Sequence, residues 1–221
     1  MMPGSDSFAA ARRHMVDSQL RPSKVTDERL LAVMGEVPRE AFVPPASRSV
    51  AYRDEDIELA PGRFMAEPLV LARMLQAAEL SDSDVVLDVC SGTGYLAALA
   101  SRLAGRVVAL EPLETLAAQA RQALAATGCR NVAVRVGPAE IGAEAEGPFN
   151  VILVGGSVDL VPDALRNQLA EGGRLISVMR ENGVGEAVLF KRVGDAFARR
   201  SLFNANVARL PGFRPQPAFV F

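Results

Sequence analysis

Asp88, Gly92, Gly94 and Glu111 are the residues whose types and spacing promise chemistry. Three apolar residues, Val85-Val86-Leu87, run into Asp88. The small-residue turn Cys90-Ser91-Gly92-Thr93-Gly94 follows, and Leu96-Ala97-Ala98-Leu99-Ala100 reads as helix. Strand, glycine turn and helix in that order bring backbone N–H groups and a helix N-terminus close to a nucleotide-like ligand, and the glycines remove side chains that would block its approach. Glu111 closes the next apolar run, Val107-Val108-Ala109-Leu110, so it stands at a strand end beside the turn. A carboxylate there can accept hydrogen bonds from both hydroxyls of a ribose.

Other chemistries have less support. His14 is the sole histidine; without a partner constellation it reads as a partly exposed helix residue. Cys90 and Cys129 are the two cysteines, and neither belongs to a C-x-x-C pair, which argues against a disulfide framework or a zinc site and suits a reducing cytoplasm. A net charge of −2 gives no global basic field for duplex nucleic acid. The chain has no run of about 18 apolar residues to span a bilayer, and its first residues lack the apolar core of a signal peptide.

The elements that must position the turn can be read from periodicity. With 221 residues, 49% apolar and 23% charged, the chain can bury a full core. Residues 8–20 form an amphipathic helix broken by Arg21-Pro22, and Thr26 is placed to cap the next, whose stripe is Leu30, Val33, Met34 and Val37. Pro61-Gly62 makes a turn after a short acidic alternation, and Pro68 suits the first position of an apolar helix running to Leu80. Beyond Glu111, Pro112 opens a helix closed by Gly128. Residues 132–136 and 149–154 are strands, the second a near-continuous apolar run that suggests burial on both faces. Gly155-Gly156-Ser157 then turns the chain at the ligand edge, residues 162–171 form a short helix stopped by Gly172-Gly173, and 174–179 form a fifth strand. Gly194-Asp195 separates two β-rich runs in a hairpin, and the tail 211–221 reads as a packed final strand. The fold class is α/β and Rossmann-like, a mostly parallel sheet with a C-terminal antiparallel hairpin. Residues 1–84 form an N-terminal helical and substrate-loop extension packed on a ligand-binding body, 85–221.

Gly92-x-Gly94-x-x-Ala97 also satisfies the dinucleotide fingerprint, so the turn alone does not separate nicotinamide from S-adenosylmethionine. Its late position, the preceding aspartate and the closing hairpin resemble class I methyltransferases, which usually have glycine where Cys90 stands; Cys90 reads as a small structural residue. The whole chain further resembles the protein-L-isoaspartate O-methyltransferase family. The likeness is carried by Met15-Val16-Asp17-Ser18-Gln19-Leu20, by Val37-Pro38-Arg39-Glu40-Ala41-Phe42-Val43-Pro44, by Asp88-Val89-Cys90-Ser91-Gly92-Thr93-Gly94-Tyr95, and by the order Val154-Gly155-Gly156, Pro162, Gly172-Gly173-Arg174-Leu175.

That resemblance implies S-adenosylmethionine as cofactor and isoaspartyl residues of damaged proteins or peptides as acceptors, with no nucleic-acid, membrane or metal partner. It implies that Asp88, Cys90, Ser91, Gly92 and Gly94 line the methionine and ribose part of the cofactor, and that Glu111, followed by Pro112, holds the ribose hydroxyls. Gly137 would begin the adenine loop, where Pro138 replaces the family's usual aspartate. The family pattern Gly-Gln-Thr-Ile-Ser-x-Pro aligns with Gly62-Arg63-Phe64-Met65-Ala66-Glu67-Pro68, so Arg63, Phe64, Met65, Ala66 and Glu67 form the substrate loop and Ala66 replaces the family serine. Two alternatives stay open: a methyltransferase with another acceptor, and a cofactor-binding homologue without isoaspartyl activity. A carboxylate acceptor is already ionised near neutral pH and needs no general base, which suits a chain with one histidine.

Overall fold

The structure, a computed structural model, describes residues 5–181 and 183–213. Helix α1 (Ser5–Met15) continues through a π-helical turn, Val16–Leu20, burying Met15, Val16 and Leu20. Helix α2 (Glu28–Glu36) is capped by Asp27, whose carboxylate accepts from the amides of Arg29 and Leu30. Thr26, the expected cap, instead donates its amide to Gln76 Oε1 at 2.7 Å. The cap falls one residue later, and the Asp27 amide donates to the same Gln76 oxygen. His14 is exposed, with Ser18 beside its Nδ1.

A two-stranded antiparallel hairpin follows, β1 (Ile57–Ala60) and β2 (Arg63–Met65). Its turn is Pro61-Gly62, with Gly62 at φ +72°, a value that favours glycine. Helix α3 (Pro68–Ala78) begins on Pro68 as expected and ends two residues short of Leu80.

The body alternates β3 (Val85–Val89), α4 (Tyr95–Ser101), β4 (Arg106–Glu111), α5 (Glu114–Ala126), β5 (Val132–Val136) and β6 (Phe149–Val158). Short α6 (Asp163–Asn167), β7 (Leu169–Glu181), β8 (Val184–Val193) and β9 (Ala196–Asn204) complete it. The seven strands run in the order β5-β4-β3-β6-β7-β8-β9. The first five are parallel; β8 and β9 are antiparallel additions joined at Gly194-Asp195. From β3 the chain crosses to β4 on one side and later to β6 on the other, so the strand order reverses there. In open α/β sheets that switch point is where a ligand crevice forms.

Alternate residues of the central strands serve the two faces. Val86, Val107, Ala109, Val151 and Leu153 join one apolar cluster that also takes in Met34, Leu71, Tyr95 and Leu99. Leu87, Val108, Leu110, Ile152 and Val154 join a second with Leu165, Leu210 and Phe213. The first cluster runs from α1 and α2 through α3 into the sheet, so residues before 85 share a core with the body.

Two expectations near the strand ends are corrected. Gly155-Gly156-Ser157 is no turn: β6 continues to Val158, with Ser157 opposite Val178 and bridged to Arg209. A Cβ on Gly156 would stand 2.8 Å from Leu210, so glycine is there for close packing of the C-terminal segment. The helix expected over 162–171 is only Asp163–Asn167, and Leu169 already pairs with Phe149. Gly172-Gly173 therefore lie within β7. Of the tail, residues 211–213 form a turn ending at buried Phe213, and 214–221 lie outside the described residues. Among the described residues no helix is long and apolar enough to cross a membrane.

Candidate active site

The crevice is built by the ends of β3 and β4. Buried Asp88, on β3, accepts from Ser91 Oγ at 2.7 Å through Oδ2, while its Oδ1 has no hydrogen-bond partner. Burial pushes the Asp88 carboxyl up to about 7, only partly offset by Ser91. Next comes Cys90 at φ +60°, then Gly92 at +60° and Gly94 at +90°. The left-handed bend suits the glycine of the pattern this turn resembles, since an L side chain there costs roughly 1–2 kcal/mol. Burial also raises the Cys90 thiol to about 12, so it is no nucleophile near neutral pH.

Glu111 ends β4 with its side chain fully buried. Its carboxylate is saturated by the protein itself. Gly92 N donates to Oε2 at 2.8 Å and Leu113 N to Oε1 at 3.0 Å. Arg63, from β2, adds a bidentate pair: Nη1 to Oε1 at 2.5 Å and Nη2 to Oε2 at 2.7 Å. The same Nη2 reaches Cys90 O at 3.3 Å, and Arg63 is itself 4% exposed. Leu59 of β1 lies against the glycine turn, where a Cβ on Gly92 would meet its Cδ1 at 2.7 Å. The hairpin thus sits on the turn with Arg63 inserted onto Glu111.

Two spaces adjoin the pair and share Cys90. One, of about 20 Å³, is bordered by Asp88, Ser91, Phe64, Ala66, Tyr95 and Gly155; it has room for little more than a water. The other, an open cleft of about 510 Å³, is bordered by Arg63, Pro112, Leu113, Ala139, Glu140 and Leu210. The loop after β5 therefore meets the cleft through Ala139 and Glu140 rather than through Gly137 or Pro138. Ala139 and Glu140 belong to the loop expected from Gly137 onward, whereas Leu113 and the segment 209–212 escaped sequence reasoning, because no local pattern marks which residues of a distant segment face a cleft.

The substrate-loop residues are drawn together, though not toward one point. Phe64 and Ala66 border the small cavity, while Arg63 faces Glu111. The Ala66 carbonyl accepts from buried Arg39, whose guanidinium stands 5.0 Å from the Tyr95 ring centroid. Glu67 donates its amide to Asp56 at 2.9 Å, and burial together with Asp54 and Asp56 raises its carboxyl to about 7.

A parallel sheet whose switch point carries a glycine turn and a strand-end carboxylate, closed by antiparallel strands, defines a Rossmann-like methyltransferase. Comparison with known proteins narrows the class. The family model described as protein-L-isoaspartate(D-aspartate) O-methyltransferase matches residues 10–205. Curated proteins named protein-L-isoaspartate O-methyltransferase are similar. One from Synechococcus sp. is 43% identical over 80% of this chain and 73% of its own; one from Roseiflexus castenholzii is 35% identical over 93% and 94%. A solved structure of that name superposes with a TM-score of 0.78 at 26% identity, covering 90% of this chain and 66% of that one. A Plasmodium falciparum protein of the same description, in complex with S-adenosyl-L-homocysteine, gives a TM-score of 0.77 at 20% identity over 90% and 97%. The chain belongs to the protein-L-isoaspartate O-methyltransferase family.

Proposed function

We propose that the protein transfers a methyl group from S-adenosylmethionine to the isoaspartyl carboxylate of damaged proteins or peptides, in the cytoplasm. The observation that carries this reading is the switch-point cradle. Asp88 holds a buried oxygen without a partner beside a cavity, Gly92 and Gly94 leave the backbone open to close approach, and Glu111 stands at the neighbouring strand end. These residues fit the cofactor. The Asp88 oxygen suits a ligand cation, and Glu111 suits a ribose diol once Arg63 is withdrawn. The apolar wall of Pro112, Leu113 and Ala139 in the 510 Å³ cleft suits a base.

When bound, the cofactor supplies an electrophilic methyl on a sulfonium. The chain's own task is positioning. An ionised acceptor carboxylate needs no proton removed, so alignment in a dry pocket is the main demand. Phe64, Met65, Leu71 and Tyr95 give the small cavity an apolar border that disfavours water beside the reacting atoms. Incubation with labelled S-adenosylmethionine and an isoaspartyl peptide should give base-labile methyl ester; no label transfer with cofactor binding intact removes this acceptor.

A second reading, transfer to a different acceptor, is favoured by the same loop. Phe64 and Ala66 border the cavity where the resembled family pattern has threonine and serine, and Glu67 follows directly, close enough to Asp54 and Asp56 for them to raise its carboxyl. Under it, Ala66→Ser raises isoaspartyl methylation well above that of the unmodified chain, and a screen of other acceptors yields product.

A further inference from the structure

We infer that Arg63 is a built-in competitor for the cofactor: its guanidinium occupies the ribose position on Glu111, so cofactor binding requires the β1–β2 hairpin to withdraw. The inference rests on the reading of Glu111 as the ribose carboxylate. Four donors converge on that carboxylate, two from Arg63 and two from the backbone amides of Gly92 and Leu113. The backbone amides are part of the cradle and stay. Only the Arg63 pair can leave, and only its departure frees acceptor lone pairs for two ribose hydroxyls.

Three further contacts place the whole hairpin in the path. Arg63 Nη2 bonds Cys90 O, Leu59 packs on Gly92, and Phe64 borders the cavity beside Asp88. Together they reduce the methionine side to about 20 Å³ while the base side stays open at about 510 Å³. A ligand with a base, a ribose and a charged tail therefore docks its base first and completes its fit as Arg63 leaves. The competition comes from the charge at this position: the pattern that the loop resembles has glutamine there, which carries no charge to bind Glu111 so tightly. Arg63 therefore sets cofactor affinity by holding its site, without touching the reacting atoms.

Calorimetric titration of the full chain with S-adenosylhomocysteine tests this without any turnover. Arg63→Gln should bind at least tenfold more tightly than the unmodified chain, with circular dichroism and melting confirming that the variant is folded. Equal affinity within twofold overturns the inference while leaving the cofactor reading intact. Absence of binding in both folded proteins removes the cofactor reading itself, and the inference with it. Should Arg63→Gln fail to fold, trypsin decides on the unmodified chain. Saturating S-adenosylhomocysteine should accelerate cleavage after Arg63 severalfold, because the residue leaves its buried pair; unchanged cleavage with ligand bound overturns the inference.

Discussion

Asp88 sits sealed in the middle of the sheet, where an ionised carboxylate loses its water and gains only one hydroxyl in return. Its pKa of about 7 has a measurable consequence. An aspartate that ionises near 3.9 in the unfolded chain and near 7 in the folded one takes up a proton on folding across that window. Its contribution to stability therefore falls as pH rises from about 4 to about 7 and is level on either side. Glu67, also raised to about 7, adds a fall of the same sign. Urea unfolding of the ligand-free protein at several pH values should show this decline, and Asp88→Asn should remove Asp88's share while leaving that of Glu67. A cation placed beside the partnerless oxygen favours the ionised form, so affinity for S-adenosylhomocysteine should rise through the same window and flatten in Asp88→Asn. A decline of equal size in the variant, or an affinity indifferent to pH, contradicts this account.

One buried side chain ties the loop 63–67 to the segment before the hairpin. Arg39, fully buried, donates to Ala51 O and to Ala66 O, each at 2.8 Å, and lies over Tyr95. Replacing it with alanine orphans two buried carbonyls at about 1–3 kcal/mol each, so Arg39→Ala should lose at least about 2 kcal/mol in denaturant titration. Arg39→Lys should recover less than half of that, since a single ammonium cannot span both carbonyls as the planar fork does. A loss within error in the alanine variant would mean that the loop does not depend on this anchor. The same elements show what was legible in the sequence. β4 falls on its expected residues because a continuous apolar run serves two buried faces, β5 because valines alternate along a half-buried edge strand, and Pro68 starts α3 because its ring presets the first helical turn. Gly155-Gly156 looked like a turn and is strand, since the reason for glycine there is Leu210, far along the chain. The site divides the same way. Asp88, Gly92 and Glu111 are marked by local order, whereas the Arg63–Glu111 pair joins residues 48 apart that no periodicity links.

At the scale of the molecule, the N-terminal helices, the hairpin and the segment 205–213 are fastened to one end of the sheet. Asp56 accepts from Glu67 N and from Ala208 N, and Ser157 accepts from Leu210 N at 2.8 Å. That end of the sheet is thereby roofed, while its two sides are not: β5 and β9 are the outermost strands, each with one row of backbone donors and acceptors unpaired by the sheet. Those rows are templates for strand addition between copies. The sequence guards both. Arg135 on β5 is paired with Glu146 at 2.5 Å, and largely exposed β9 carries Arg199 and Arg200 in succession, Arg199 pairing with Glu181 at 2.8 Å. Replacing both β9 arginines with valine should produce a protein with unchanged cofactor binding whose solutions scatter light at concentrations where the parent stays clear; equal clarity would show that the edge needs no guard. For a member of a family that acts on other protein chains, charge along these edges also disfavours the addition of a foreign extended segment to the sheet as an extra strand.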